Sequence, residues 1–171
     1  DGNMAAYVPI YCSNVDRAEC FNTPGADAVT FSDKNAFWVC NWVANMVYPR
    51  YSQMFPALKA VREKLEKGYA ANQNAVETKA QELYKTDKDA AVKYLNDYSI
   101  AKSNEMLNEW KQLATYLIVK FNDMAVKPEK DGKFERTATG WGARPARPGM
   151  SEAAKKAIIE QTGDKFEVPA E

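Results

Sequence analysis

One segment constrains the fold more than any other, because its sequence predicts a helix with apolar side chains on almost every face. The segment is AFWVCNWVANMVYPRYSQM, at residues 36–54, and Pro49 ends or bends the helix. Asn41 and Asn45, four residues apart, form its one polar stripe. A helix that is apolar all round is normally buried all round. We therefore expect this helix to be covered on every side, although a chain of 171 residues offers little material for that.

Composition narrows what could cover the helix. The apolar run at residues 36–48 has 13 residues, whereas a membrane span needs about 20. We therefore predict a core helix and no membrane contact. Lys and Arg together number 23, as do Asp and Glu, so the net charge is zero. Nucleic acid attracts basic surfaces, and we predict no binding to it.

The residue types exclude most forms of catalysis within the chain. Histidine is absent, which removes Ser-His-Asp and Cys-His catalysis as well as HExxH zinc sites. The three cysteines have no CxxC spacing, so we predict no structural metal and no cofactor. Cys40 fits the role of a small core residue. Cys12 and Cys20 flank a short loop, and they form either a disulfide in an exported protein or two free thiols.

Helical periodicity dominates the central part of the sequence. Ser32 or Asp33 is expected to cap a first helix that runs to about Tyr48. A second helix follows, with Pro56 in its first turn and Gly68 as a weak point. The apolar stripe of this second helix comprises Leu58, Val61, Leu65, Tyr69, Val76, Ala80 and Leu83.

Two further helices are predicted after residue 86. Thr86 and Asp89 resemble a capping box for a short helix to about Asn96, and a long helix then runs from about Ser99 to Asn122. Two long amphipathic helices joined by a short connection should pack as an antiparallel pair. The face of the last helix comprises Ser103, Leu107, Trp110, Ala114, Leu117 and Phe121, widened by Met106 and Leu113.

The two ends of the chain have a different character. YVPIYC, at residues 7–12, is typical of a strand, and Pro9 would confine that strand to an edge. A short extended piece is expected at 28–31. Residues 126–150 are rich in Pro and Gly, and Asp131-Gly132 predicts a tight turn there.

The segment after residue 126 is expected to lie as an arm on another surface, with a flexible tail as the alternative. A loop of this length is usually functional or disordered. The residues that would anchor it are Phe134, Trp141, Arg144 and Arg147. Ser151 would then cap a short helix from Glu152 to about Gln161.

These patterns predict a mainly α fold. It is a helical bundle-like domain of about five helices, with one or two short strands near the N-terminus. Residues 1–32 would form a strand and loop, residues 33–125 the helical domain, and residues 126–171 an extended arm with a short terminal helix.

No catalytic pair emerges from the helices. The carboxylates of residues 63–109 are mixed with lysines, as on a solvated helix face. Asn41 and Asn45 either pin neighbouring backbone or help to line a pocket, because buried carboxamides need hydrogen-bond partners. Tyr48, Arg50 and Tyr51 would extend the polar rim of such a pocket.

Long blocks of the sequence resemble a known family. AFWVCNWVANMVYPRYSQM, preceded by YVPIYC, resembles the C-terminal part of bacterial dipeptidases of peptidase family C69, also called U34. Three later blocks fit in the same order, and the resemblance covers essentially all 171 residues. The later blocks are KDAAVKYLNDYSIAKSNEMLNEWKQLATYLIVKFND, DGKFERT and AKKAIIEQTGDKFEVP.

The resemblance implies an N-terminal-nucleophile hydrolase fold, a four-layered αββα sandwich. It also implies hydrolysis of dipeptides through an acyl-enzyme. The nucleophile of such enzymes is a cysteine at the mature N-terminus, and its own α-amino group acts as the base.

This sequence departs from the family pattern at the nucleophile. It begins with Asp1 and its cysteines are internal, so we assign no catalytic residue and expect the nucleophilic cysteine upstream. We expect a C-terminal fragment of a cysteine dipeptidase that supports the catalytic sandwich and is inactive alone. Its partners would be the N-terminal catalytic portion, the dipeptide substrate and, by self-association, a second copy.

Two further expectations concern the alternative function and the compartment. The alternative is a stand-alone helical binding or structural protein that uses an exposed apolar face. A disulfide between Cys12 and Cys20, together with the resemblance, would favour export to the periplasm or the medium.

Overall fold

The computed structural model describes residues 4–11, 18–135, 155, 156 and 160. Within those residues it contains three α-helices: α1 at Ala36–Val47, α2 at Tyr51–Thr86 and α3 at Lys88–Phe121. Two short strands, β1 at Glu129–Lys130 and β2 at Lys133–Phe134, pair in antiparallel fashion. Short 3-10 helices lie at Glu19–Phe21, Thr23–Ala26, Tyr48–Arg50 and Asn122–Met124. The described chain is therefore mainly helical, as predicted.

The chain divides into two compact units, Asp1–Val119 and Lys120–Glu171. The first unit contains α1, α2 and nearly all of α3. The second unit contains the end of α3 and the β1–β2 hairpin.

The helices α2 and α3 pack as an antiparallel pair. The Tyr69 hydroxyl donates to the Lys102 carbonyl at 3.4 Å. Further along α2, the Lys79 ammonium lies 4.9 Å from the centre of the Tyr94 ring. Partner numbers on α3 fall as residue numbers on α2 rise, so the predicted antiparallel pair is confirmed.

The predicted apolar faces of these helices are largely confirmed. All eight positions proposed for the face of the last helix are buried. Of the seven stripe positions on α2, Val61 and Leu83 are half-buried. The other five are buried: Leu58, Leu65, Tyr69, Val76 and Ala80.

The predicted count of about five helices is not confirmed among the described residues, which contain three α-helices, because the break expected at residues 97 and 98 does not occur. Helix α2 runs without a break past Pro56, which lies inside it rather than in its first turn, and past Gly68. Helix α3 continues through residues 97–99. A glycine in a helix lowers stability by about 1 kcal/mol relative to alanine. That is too little to end a helix that is packed along its length.

The helix caps also lie one to three residues from their predicted positions. The Asn35 carboxamide caps α1 in place of Ser32 or Asp33, because its Oδ1 accepts from the Phe37 N–H at 2.9 Å. Its Nδ2 donates to the Asn22 carbonyl at 2.9 Å. Gly25 permits this arrangement, since a Cβ atom there would come within 2.8 Å of the Asn35 Nδ2.

The cap between α2 and α3 is Asp87 rather than Thr86. Its Oδ1 accepts from the Ala90 N–H at 3.0 Å. The Thr86 hydroxyl instead donates to the Leu83 carbonyl at 3.1 Å. The capping box predicted for Thr86 and Asp89 therefore does not form.

The predicted strand at residues 7–12 is wrong as far as residue 11, and Cys12 lies outside the described residues. Two of its backbone N–H groups donate to side chains on the helices and not to a neighbouring strand. The Tyr7 N–H donates to Glu66 Oε1 at 3.0 Å, and the Tyr11 N–H donates to Ser99 Oγ at 2.9 Å. The extended piece expected at 28–31 is a turn and bend.

The same N-terminal segment is anchored in the core at residue 4. The Trp110 side chain is fully buried, and its Nε1–H donates to the Met4 carbonyl at 3.0 Å. The segment at residues 4–11 is therefore held on the helical pair by hydrogen bonds from α2 and α3.

The second unit confirms the predicted tight turn. Asp131 and Gly132 both have positive φ, at 51° and 73°, as a two-residue type I′ turn requires. The short strands that the turn connects were expected near the N-terminus, and they lie instead at residues 129–134. Lys120 pairs with Glu129 at 3.0 Å within this unit.

The rest of the predicted arm is mostly outside the described residues. Trp141, Arg144 and Arg147 fall there, so docking of the arm stays a prediction. The terminal helix also falls largely outside, although residues 155, 156 and 160 are helical.

Candidate functional site

One side of α1 faces solvent, which corrects the expectation that this helix is covered all round. Phe37, Asn41 and Asn45 follow one another at intervals of four, and all three are exposed. One face of the helix is therefore exposed and the other buried, although apolar residues occur on both faces. The opposite face is fully buried and comprises Val39, Val43 and Val47.

Asn41 and Asn45 bond to each other on this exposed face. The Asn45 Nδ2 donates to the Asn41 backbone carbonyl at 2.9 Å and to the Asn41 Oδ1 at 3.2 Å. The prediction that these carboxamides are buried is wrong, because the apolar sequence around them does not bury this side of α1.

The residues expected to extend a polar rim point to other partners. Arg50 Nε donates to Gln53 Oε1 at 3.0 Å. The Tyr51 ring stacks on Phe55 with 4.5 Å between ring centres, and Tyr48 is about half exposed. Arg50 and Tyr51 therefore contact residues on α2.

Four aromatic rings form a contiguous surface on α1 and the loop before it. This aromatic cluster consists of Phe31, Phe37, Trp38 and Trp42. Phe31 lies edge-on to both tryptophans, at 5.8 Å from Trp38 and 6.1 Å from Trp42, and Phe37 lies 5.4 Å from Trp38. Phe31 and Phe37 are 56% and 49% exposed. Large exposed apolar patches mark interaction sites on soluble proteins.

A hydrogen bond to the preceding loop holds Trp38 of the cluster. The Trp38 Nε1–H donates to the Asp27 carbonyl at 2.8 Å, which ties the helix to the preceding loop. The rings thus form a surface that is already ordered, with little side-chain entropy left to lose when a partner binds.

The described cysteines do not have the character of a nucleophile. Cys20 and Cys40 are both free thiols. Burial raises the pKa of Cys20, and burial also raises the pKa of Cys40 to about 11. The thiolate is the reactive form of cysteine, and both sites disfavour it. Cys12 lies outside the described residues, so the structure does not test the predicted disulfide between Cys12 and Cys20.

We expect Cys40 to react slowly with iodoacetamide in the folded chain. Raising its pKa from 9.0 to about 11 lowers the thiolate fraction near neutral pH by roughly 100-fold. The rate should rise as the pH is raised towards 11, since more thiolate then forms. Mass spectrometry of peptides from the labelled chain would measure it, with the urea-unfolded chain as control. Equal rates in the two states at pH 7.5 would contradict the assignment.

A second feature of the first unit is a groove between the N-terminal segment and α2. It has a volume of about 340 Å³, and we call it the tyrosine groove. Tyr11 is fixed above it, because its hydroxyl donates to Glu77 Oε1 at 3.4 Å. Its lining includes Tyr7, Ile10, Tyr11, Glu66, Tyr69 and Gln73.

Burial and nearby carboxylates raise the pKa of Tyr11 and of Tyr69. The pKa of Tyr69 is raised, chiefly by burial. The pKa of Tyr11 is raised by burial and then by the nearby Glu77 carboxylate. The Tyr98 ring lies 6.2 Å from that of Tyr11, and its buried hydroxyl has no hydrogen-bond partner among the described residues.

The structure offers no metal site and no membrane span within the described residues. No group of three or more Asp, Glu or Cys side chains in that part of the chain could hold a metal ion. None of the described helices combines the length and the hydropathy that crossing a bilayer requires.

Comparison with protein families identifies residues 1–64 as a match to peptidase family C69. Over these residues the sequence is similar to the C69 peptidases. The matched residues include the N-terminal segment, the aromatic cluster, α1 and the first turns of α2. No curated protein and no solved structure matches the chain.

The C69 match and the tyrosine groove overlap only in part. Tyr7 and Tyr11 lie within the matched residues, whereas Glu66 and Tyr69 follow them. Sequence reasoning missed this groove, because Glu66 was classed with the solvated carboxylates and Tyr69 with the apolar stripe. The available signal was their spacing, since residues 66, 69, 70, 73 and 77 share one face of a helix.

Proposed function

We propose that this chain forms the C-terminal helical part of a cysteine dipeptidase. It supports the catalytic sandwich and supplies no nucleophile of its own. One observation carries this proposal: the residues that match peptidase family C69 contain the exposed aromatic cluster. An ordered aromatic surface in a peptidase segment is suited to pack against the part of the enzyme that performs hydrolysis.

The chemistry of the described residues is consistent with a supporting role. Cys20 and Cys40 are buried or half-buried thiols with raised pKa values, and the sequence has no histidine to act as a base. The alternative, a stand-alone helical binding protein, is not favoured, because the family match is to peptidases.

A reconstitution experiment tests the proposal. The purified chain is assayed for dipeptide hydrolysis alone, and again after co-expression with the catalytic portion encoded upstream in its gene. We expect no hydrolysis by the chain alone and thiol-reagent-sensitive hydrolysis by the reconstituted pair. Hydrolysis by the chain alone, or a reading frame that starts near Asp1, would refute the supporting role.

A further inference from the structure

Glu66 is the one carboxylate among the described residues that line the tyrosine groove. Glu66 is half-buried, and its Oε1 accepts only the Tyr7 N–H at 3.0 Å. Among the described residues no cationic side chain pairs with Glu66 or with Glu77 at the far side of Tyr11. A partly buried carboxylate is stabilised by a nearby cation, and none of the described residues that line the groove is cationic.

Other carboxylates of α2 and α3 have the lysine partner that Glu66 lacks among the described residues. Glu63, one turn before Glu66, lies 3.7 Å from Lys59 and 3.4 Å from Lys67. Glu105 on α3 pairs with Lys102 at 2.6 Å. The groove carboxylate therefore differs from its neighbours in lacking an ammonium partner.

The walls of the groove suit a cation as well. The rings of Tyr7, Tyr11 and Tyr69 line it, and Tyr7 is 80% exposed. Aromatic faces attract ammonium groups within about 6 Å of the ring centre. The Tyr69 ring already contacts one ammonium group in this way, since the Lys102 ammonium lies 5.7 Å from its centre.

We propose that the tyrosine groove binds an organic primary ammonium ion with an apolar body. Glu66 is the counter-charge, the tyrosine rings contact the ammonium group and the apolar body, and Gln73 offers a further hydrogen-bonding group at the rim. This site is separate from the aromatic cluster on α1, so the inference does not depend on the proposed function. The binding involves no covalent step.

Calorimetric titration of the full chain with 2-phenylethylamine tests the charge requirement. The neutral isostere 2-phenylethanol is the matched ligand. We expect the amine to bind in the micromolar to millimolar range and the alcohol to bind at least about tenfold more weakly, because a hydrogen bond to a charged group contributes about 1.5–3 kcal/mol. Absence of amine binding, or equal binding of the alcohol, would overturn the proposal.

Variants then locate the site. Glu66→Gln keeps an acceptor for the Tyr7 N–H and removes the charge, so the amine should bind about tenfold more weakly. Glu82→Gln is the matched control, because Glu82 is an exposed carboxylate on the same helix outside the groove. Equal losses in both variants would indicate non-specific attraction and refute the site.

A measurement on the unaltered chain covers the case in which Glu66→Gln does not fold. The amine should shift the NMR signals of Tyr7, Tyr11 and Tyr69, and leave those of Tyr84, which lies at the end of α2, unchanged. Shifts spread over all tyrosines, or confined to others, would contradict binding in the groove.

Discussion

Replacing Trp110 with alanine should lower the free energy of unfolding by about 3 to 5 kcal/mol. The indole is fully buried in the core of the first unit. Its removal leaves a large cavity and leaves the Met4 carbonyl without the Nε1–H that now bonds to it at 3.0 Å. Urea unfolding followed by circular dichroism would measure the loss. Domains of this size are stable by about 5–15 kcal/mol, so the variant should be close to unfolding.

Two further variants separate the causes. Trp110→Phe keeps most of the ring and removes the hydrogen bond, so about 1–3 kcal/mol should be lost. Ile118→Ala, a half-exposed position on the same helix, should change stability by about 0.5 kcal/mol. If Trp110→Ala were no more destabilising than Ile118→Ala, the proposed anchor of the N-terminal segment would be wrong.

If the chain supports a catalytic portion as proposed, replacing Phe37 with serine should weaken association with that portion by about 30-fold. Interfaces depend on a few aromatic residues whose truncation reduces binding by 2 kcal/mol or more. Phe37 is 49% exposed in the chain alone, so the change should alter the stability of the isolated chain by only about 1 kcal/mol. Titration of the catalytic portion, expressed as a separate polypeptide, would give the dissociation constant.

Tyr84→Ser is the matched control for this change. Tyr84 is an aromatic residue of similar exposure near the end of α2, outside the aromatic cluster. Its loss should leave the dissociation constant unchanged. Equal effects of the two substitutions, or an unchanged constant in Phe37→Ser, would show that the cluster is not the contact surface.

The buried faces of α2 and α3 could be predicted from the sequence because a helix repeats every 3.6 residues. Leu58 belongs to the periodic apolar stripe of α2, and Trp110 and Leu117 belong to that of α3. All three side chains are fully buried. The Asp131-Gly132 turn was equally predictable, since few other residue pairs accept positive φ at both positions. These features depend on residues that are close in sequence.

The continuity of α2 and α3 could not be predicted in the same way. Gly68 and the region around Ser99 weaken a helix locally, but packing between α2 and α3 acts along their whole length and outweighs the local preference. Ser99 is buried, and its hydroxyl donates to the Leu95 carbonyl at 2.8 Å and accepts from the Tyr11 N–H of the N-terminal segment.

The functional surfaces were predicted only in part. An apolar sequence indicates that α1 needs cover, but it does not show which side the rest of the chain leaves open. The side left open carries Phe37, Asn41 and Asn45. The spacing of residues 66–77 shows that they share one helix face. It does not show that residues 7–11 lie against that face, because a contact so far apart in sequence has no local pattern.

The hydrogen bond between Trp110 and Met4 also bears on the order in which the chain folds. It joins residues 106 positions apart, and the entropy lost in closing a loop increases with loop length. Contacts between α2 and α3 near Asp87 are local, and local contacts form fast. The helical pair should therefore form first and the N-terminal segment should dock last, which makes the segment before α1 the final piece to acquire its native contacts.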